Sequence, residues 1–385
     1  MYLEKLYLTR FRNYWSCSVK FDAQKTILVG NNAQGKSNLL EAVELLATLK
    51  SHRTTKDQEL VFQEETVGQI EALVKRRYSQ SELTLTLRQK GRRTVAINHE
   101  SLRRQIDFLG VLNAVEFSSL DLDLVRGSPE KRRHWLDALL IQIEPIYAYI
   151  LQEYNKVLRQ RNALLKKIRK SLYDDEMGSP VEDSTWEQLA LWDAQLAANG
   201  SRVMRRRARV MERLTPIAQQ WHSRISHATE KLVIDYAPNV NWCEDNPEQV
   251  QQAILDRIKL RQAAEHNLGT TVVGPHRDEV EFKINETPAR SYGSQGQQRT
   301  LVLALKLAEL ELIETVVGEP PLLLLDDVLA ELDLDRQNQL LSAIEDRFQT
   351  LITTTHLNSF DQQWVNSSQI LTVEKGKINE NNLSS

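Results

Sequence analysis

Cysteine is nearly missing from the chain. Its 385 residues hold two, Cys17 and Cys243, far apart and in no CxxC pair or Cys/His cluster. That excludes a disulfide framework and a thiolate-built structural zinc site, and it suits a reducing cytoplasm. Long apolar runs are also lacking. The longest, Pro320 to Leu325, is strand-sized, far short of a membrane-crossing helix. Met1 to Lys5 do not show the charged-then-apolar order of a secretory signal, so the chain is expected in the cytoplasm and away from membranes. An overall excess of positive charge is absent as well: the net charge is −3, so any nucleic-acid binding must come from local patches. There is no internal repeat and no extended low-complexity segment.

What is present is an apolar share of 41%, enough for a sizeable core in a length that suits two domains. The first third reads as strands with one helix. Leu3 to Phe11, Cys17 to Phe21 and Lys25 to Val29 are β-like, and Asn38 to Leu49 is apolar at helical spacing. Val67 to Lys75, Glu82 to Arg88 and Arg93 to Ile97 alternate as half-buried antiparallel strands do. In the middle, Leu136 to Ile168 and Leu189 to Trp221 repeat apolar residues at threes and fours, predicting two long amphipathic helices, the first broken or kinked at Pro145. A polar loop, Asp174 to Pro180, is expected between them. The last third returns to mixed structure: strands at Val280–Ile284, Leu322–Leu325, Leu351–Thr354 and Ile370–Glu374, and a helix over Thr300–Thr315. The α/β material thus sits at both ends, with a helical arm inserted between.

Gly30-Asn31-Asn32-Ala33-Gln34-Gly35-Lys36-Ser37 fits GxxxxGK[ST] at every fixed position, with an apolar strand running in and an amphipathic helix running out. Glycines let backbone N–H groups wrap phosphate, and the helix N-terminus adds its dipole. Lys36 would reach the β- and γ-phosphates, and Ser37 would ligate Mg²⁺. Leu322 to Leu325 end in Asp326-Asp327. Asp326 would supply a hard oxygen to Mg²⁺, and Asp327 would orient or deprotonate an attacking water. Ser294-Gln295-Gly296-Gln297-Gln298 opens the later helix. Ser294 and Gly296 there read either as an anion site or as an ordinary N-cap.

The pentapeptide resembles the SxGQ core of the ABC-ATPase signature, without its leading Leu and first Gly. Glu331-Leu332-Asp333 resembles the D-loop of those enzymes, and His356 their switch histidine, which senses the γ-phosphate. The order of these parts is that of split-head ABC ATPases, a group that includes SMC proteins. The short arm and the missing CxxC match the RecF family, which the chain resembles from end to end. Carrying that resemblance are Phe11-Arg12-Asn13-Tyr14, Leu124 to Pro129 with Arg132-Arg133 and Leu136-Asp137, Gln160-Arg161-Asn162, Gly274 to Asp278, and Thr372 to Ile378. One departure stands out: Ser119-Leu120 follow Phe117-Ser118 where the family usually has Pro-Glu, so no Q-loop residue is assigned.

The resemblance implies an α/β, ABC-type P-loop ATPase head built from both ends of the chain, with residues 1–125 and 267–385 as its halves and 126–266 as a mainly helical arm. It implies ATP and Mg²⁺ as cofactors, with Gly30, Asn31, Asn32, Ala33, Gln34, Gly35, Lys36, Ser37, Ser294, Gly296, Gln297 and Asp333 around the nucleotide, Ser37 and Asp326 on the metal, and Lys36, Asp327 and His356 in catalysis. It further implies an ATP-dependent homodimer, weak ATP hydrolysis, binding to single-stranded DNA and gapped duplex, partnership with RecO and RecR, help in recombinase loading, and links to replication and the SOS response. Two other readings stand beside it: the ATPase subunit of a transporter, and a nucleotide-binding interaction module without useful hydrolysis.

Charge is uneven along the arm. Arg126 to Lys170 holds eleven Lys/Arg against four Asp/Glu, and Gly200 to Arg213 holds six Arg against one Glu. Arg202, Arg206, Arg209 and Arg213 fall on one helical stripe. The stripe is either a DNA contact or a solvated helix face.

Overall fold

A computed structural model describes residues 1–173, 182–344, 347–357, 360 and 362–380. The loop expected over Asp174 to Pro180 lies outside them. The head is layered. Its central sheet runs Lys377–Glu380, Gln369–Glu374, Lys25–Val29, Thr350–Thr354, Leu322–Asp326, Ala114–Phe117, parallel throughout except for the first strand. The N-terminal strand Lys25–Val29 therefore sits between two strands from the C-terminal end. This is the split head expected of the sequence.

An antiparallel sheet covers one side, in the order Tyr14–Lys20, Tyr2–Phe11, Val67–Lys75, Gln80–Arg88, Thr94–Ile97, Glu100–Ser101. The helix Lys36–Thr48 lies between the two sheets and is buried nearly all round. Period-two alternation assigns the strand faces. Leu322 and Leu324 join this helix and the antiparallel sheet in one core, while Leu323 and Leu325 join the opposite core around the helix Gln295–Val317.

That second core continues into the arm. The first predicted helix is broken at Pro145, as its missing N–H requires: Pro129–Ile143 ends there and Ile146–Tyr173 begins. The long helix Asp183–Ile225 contains the second apolar repeat. A third helix, Pro247–Leu268, and a strand, Leu232–Ala237, were not foreseen. The strand pairs with Glu279–Ile284, so a three-stranded sheet joins the middle of the chain to its last third.

Three residues that carried the family resemblance, Asp137, Arg161 and Asp278, turn out to sit in buried ion-pair networks. Arg207, fully enclosed, donates to Asp137 at 2.9 Å and to Asp278 at 3.0 Å, and Tyr147 donates to Asp137 at 2.5 Å. Arg161 bonds Glu265 and Asp193 at 2.6 Å each and Thr271 at 2.8 Å. Buried charges survive only when paired and hydrogen-bonded, so losing one partner would leave a costly orphan.

Candidate functional site

The phosphate loop lies where the strand Lys25–Val29 gives way to the helix Lys36–Thr48, at the C-terminal edge of the parallel sheet. Ligands commonly sit at that edge in open α/β sheets. Two glycines are dictated by sterics. Gly35 has φ +121°, and a Cβ on Gly30 would come 2.3 Å from the Val373 carbonyl oxygen. Lys36 is almost enclosed and donates to the carbonyls of Gly30 at 2.8 Å and Asn31 at 3.1 Å, so its ammonium is already held inside the loop.

Residues outside the motif grip the loop. Asn13 donates through Nδ2 to the Gln34 carbonyl at 2.8 Å, and the Tyr14 hydroxyl donates to the Gly35 carbonyl at 3.0 Å. From the C-terminal hairpin, the Gly376 N–H reaches the Gln34 carbonyl at 3.0 Å and the Lys375 N–H reaches Gln34 Oε1 at 2.7 Å. Arg12 forks onto buried Glu41 of the following helix at 2.8 and 2.6 Å. The segments Phe11–Tyr14 and Thr372–Ile378, legible in the sequence only through resemblance, are braces for the phosphate loop.

The acidic strand delivers Asp326 beside this loop. The Ser37 hydroxyl donates to Asp326 Oδ1 at 2.7 Å, and Thr353 donates to the same oxygen at 2.8 Å. A hydroxyl and a carboxylate oxygen together make the hard, all-oxygen corner that fits Mg²⁺. Sequence reading missed Thr353. Its signal was a polar hydroxyl run, Thr353 to Thr355, ending an apolar strand that neighbours the acidic one. Asp327 turns away in a left-handed conformation, φ 53°, with its N–H on Thr353 Oγ1 at 2.9 Å. Burial raises its carboxyl above the ordinary aspartate value, with the Lys36 charge opposing and Asp326 adding to the rise. A carboxylate raised this way is a stronger base than an exposed one.

The signature turn is built differently. Ser294 caps the helix Gln295–Val317 by accepting from the Gln297 N–H at 3.2 Å, while Gln297 Oε1 accepts from the Ser294 N–H at 2.8 Å. Gln297 also donates to Glu230 at 2.9 Å. Exposed Asp333 pairs with Arg336, which reaches the Gly296 carbonyl at 3.3 Å. Hydrogen bonds to Arg336 hold the Asp333 carboxyl below its ordinary range. His356 is exposed just beyond the strand Thr350–Thr354. Among the described residues, no hydrogen bond or ion pair joins Ser294, Gly296, Gln297 or Asp333 to residues 30–37. The structure thus gathers Gly30 to Ser37 with Asp326 and Asp327, and leaves the signature group apart.

Two of the four stripe arginines are neutralised. Arg206 pairs with Glu144 at 2.9 Å, and Arg209 and Arg205 pair with Asp245. Arg202 and Arg213 are exposed without an ion pair among the described residues. The better basic surface is on the helix Ile146–Tyr173. Lys156, Arg159, Lys166, Lys167, Arg169 and Lys170 are all exposed there, none with an ion pair among the described residues.

Comparison with known proteins gives a consistent result. Residues 2–379 match the family model for the RecF/RecN/SMC N terminal domain. The "DNA replication and repair protein RecF" of Gloeothece citriformis is 68% identical over 383 residues, covering 99% of this chain and 100% of the relative. Two solved structures of the recombination mediator protein RecF in the RecFOR pathway, one with ATPrS and one with ATP, superpose with TM-scores of 0.89 and 0.87. Both are 32% identical and cover 99% and 98% of this chain, and 98% and 97% of theirs. No helix among the described residues is long and apolar enough to cross a membrane.

Proposed function

The chain belongs to the RecF family, and we propose that it works as an ATP-switched clamp on DNA. It is an ATP-binding protein of DNA replication and repair, in the RecFOR pathway. A transporter subunit is not favoured. ATP phosphates would lie in the cradle from Gly30 to Ser37, with Lys36 leaving its two carbonyl partners for the β- and γ-oxygens. Ser37 and Asp326 would hold Mg²⁺, which when bound neutralises phosphate charge. Asp327 would take the proton of the attacking water, and His356 would sense the γ-phosphate.

One observation supports the clamp above others. The phosphate loop is braced within the chain, while the signature turn, with exposed Ser294 and half-buried Gly296 and Gln297, makes no hydrogen bond or ion pair to that loop among the described residues. Two chains related by a two-fold axis would pair each signature turn and its Asp333 with the other's phosphate loop. ATP then favours the dimer because its γ-phosphate is fully held only there. The basic face of the helix Ile146–Tyr173 would track a DNA backbone. The division of labour is a head of residues 1–125 and 267–385 and an arm of 126–266, acting in the cytoplasm on single-stranded DNA and gapped duplex with RecO and RecR, with weak hydrolysis timing release and the bound clamp helping recombinase onto the DNA. Light scattering with ATP, with and without a gapped duplex, tests this: a doubling of mass that needs ATP, and DNA-stimulated turnover, are expected. A monomer under all conditions overturns it.

A further inference from the structure

Beyond the nucleotide end, the helix Lys36–Thr48 takes part in a second polar cluster. Glu44 lies about two turns along from Lys36. His52 is in the loop that follows, and Glu116 is on the outer strand Ala114–Phe117, opposite Leu324 of the acidic strand. His52 Nδ1 stands 2.8 Å from Glu44 Oε2 and 2.9 Å from Glu116 Oε2. One donor atom from each of the three residues lies within 4.8 Å of the other two. Glu116 Oε1 is enclosed and has no hydrogen-bond partner among the described residues.

Charge in this cluster is out of balance. Two carboxylates share one imidazole, and Asp121 adds a further negative charge nearby. Burial and the Glu44 charge push the Glu116 carboxyl up to about 7. Burial lowers the basicity of His52, but its hydrogen bonds to Glu116 and Glu44 outweigh that and raise it to about 10. Lys306, which feels the Glu116 charge, is paired with Asp121 at 2.9 Å.

We propose that Glu44, His52 and Glu116 bind a transition-metal dication of the zinc class, at a site separate from the Mg²⁺ corner at Ser37 and Asp326. One imidazole nitrogen with carboxylate oxygens is a zinc-type ligand set, whereas Mg²⁺ and Ca²⁺ favour oxygen alone. Bonds of about 2.0–2.2 Å in a tetrahedron set ligand atoms about 3.3 Å apart. The two nitrogen–oxygen distances need only open by about half an ångström to admit the ion. The free Glu116 oxygen can bind the ion or its water. The three side chains are 12 to 18% exposed, so an ion can reach them from solvent. The dication would replace the His52 proton and fasten the end of the phosphate-loop helix to the outer strand of the core sheet.

Full-length protein stripped with a chelator, then dialysed against zinc alone without nucleotide, tests this. One zinc per chain is expected by atomic emission, and cobalt in its place should give the intense visible bands of a tetrahedral site. His52→Gln and Glu116→Gln should weaken binding by more than about tenfold, while Asp326→Asn should retain it. Zinc should also raise the melting temperature of the wild type. Circular dichroism checks that the variants fold, and the wild-type stoichiometry and cobalt spectrum stand without them. No zinc on the wild type, or full binding by a folded His52→Gln, overturns the site and leaves His52 as a protonated clamp between two carboxylates. Loss in Asp326→Asn alone overturns it too, by placing the ion at the nucleotide end.

Discussion

The phosphate loop and the signature turn both open helices, and both present backbone suited to an anion, yet they are supported in opposite ways. The phosphate loop is held from two sides by Asn13, Tyr14 and the hairpin around Gly376, and its lysine is enclosed. The signature turn has Ser294 exposed and is held by its own capping box, with Glu230 on Gln297 and Arg336 on the Gly296 carbonyl. A complete site would place both around one ligand. In the proposed dimer, one chain would bring two unlike halves to a shared site, one rigid in advance and one completed by its partner.

Removing the rigid half should have the largest effect. Lys36→Met, with its fold intact, should lower ATP turnover on the order of a thousandfold, because the phosphate-facing charge is lost. Nucleotide filter binding and phosphate release check this, and near-normal turnover would end the phosphate-loop assignment. Blocking the waiting half should spare the monomer. Ser294→Arg should leave ATP binding to one chain close to wild type and weaken ATP-driven dimerisation by on the order of a hundredfold, as a bulky side chain at the centre of an interface does. Sedimentation with ATP decides. If Ser294 is only a cap, the loss is instead about 0.5–2 kcal/mol of stability with dimerisation unchanged.

Asp327→Asn should separate closing from opening. Turnover should fall by about a hundredfold while ATP still binds, so the ATP dimer lives longer. A stopped-flow measurement of dimer decay reads this directly, and an unchanged rate places the base elsewhere.

Gly376→Ala tests the braces. The residue has φ +72°, and a Cβ there would come 2.3 Å from the Asn13 carbonyl oxygen. A stability loss of about 1–3 kcal/mol and roughly tenfold weaker ATP binding are expected, read by denaturant titration and filter binding. Unchanged ATP affinity would mean that the loop holds itself.

The smallest effect concerns DNA. Lys166→Gln with Lys167→Gln should weaken binding to all sequences alike and flatten the slope of log affinity against log salt by about 2. The same change at Arg206 and Arg209 should leave the slope as it was, since carboxylates already neutralise them.

Local pattern made the phosphate loop, the acidic strand and the head helices readable, because their signal lies in consecutive residues. Even the break at Pro145 followed from one missing N–H. What escaped the sequence depends on distant partners. The strand Ala114–Phe117 is four residues long and carries a glutamate, so it becomes a strand only by pairing with Leu322–Leu325. Thr353 acquires its role from Asp326, and Tyr14 from Gly35. The partners of Arg206 and Arg209 escaped for the same reason: counting charges over Gly200 to Arg213 omits Glu144 and Asp245, which arrive from elsewhere in the fold.

The placement of Lys25–Val29 between Thr350–Thr354 and Gln369–Glu374 also governs how the protein is born. The strand leaves the ribosome early, and its first neighbour follows roughly 320 residues later. At about 5–20 residues per second that is a wait of tens of seconds. Through it, an apolar strand and the nucleotide-binding motif attached to it have no sheet to enter. A chain that stops within the arm would own the motif but lack both strands that flank Lys25–Val29, and should bind ATP poorly.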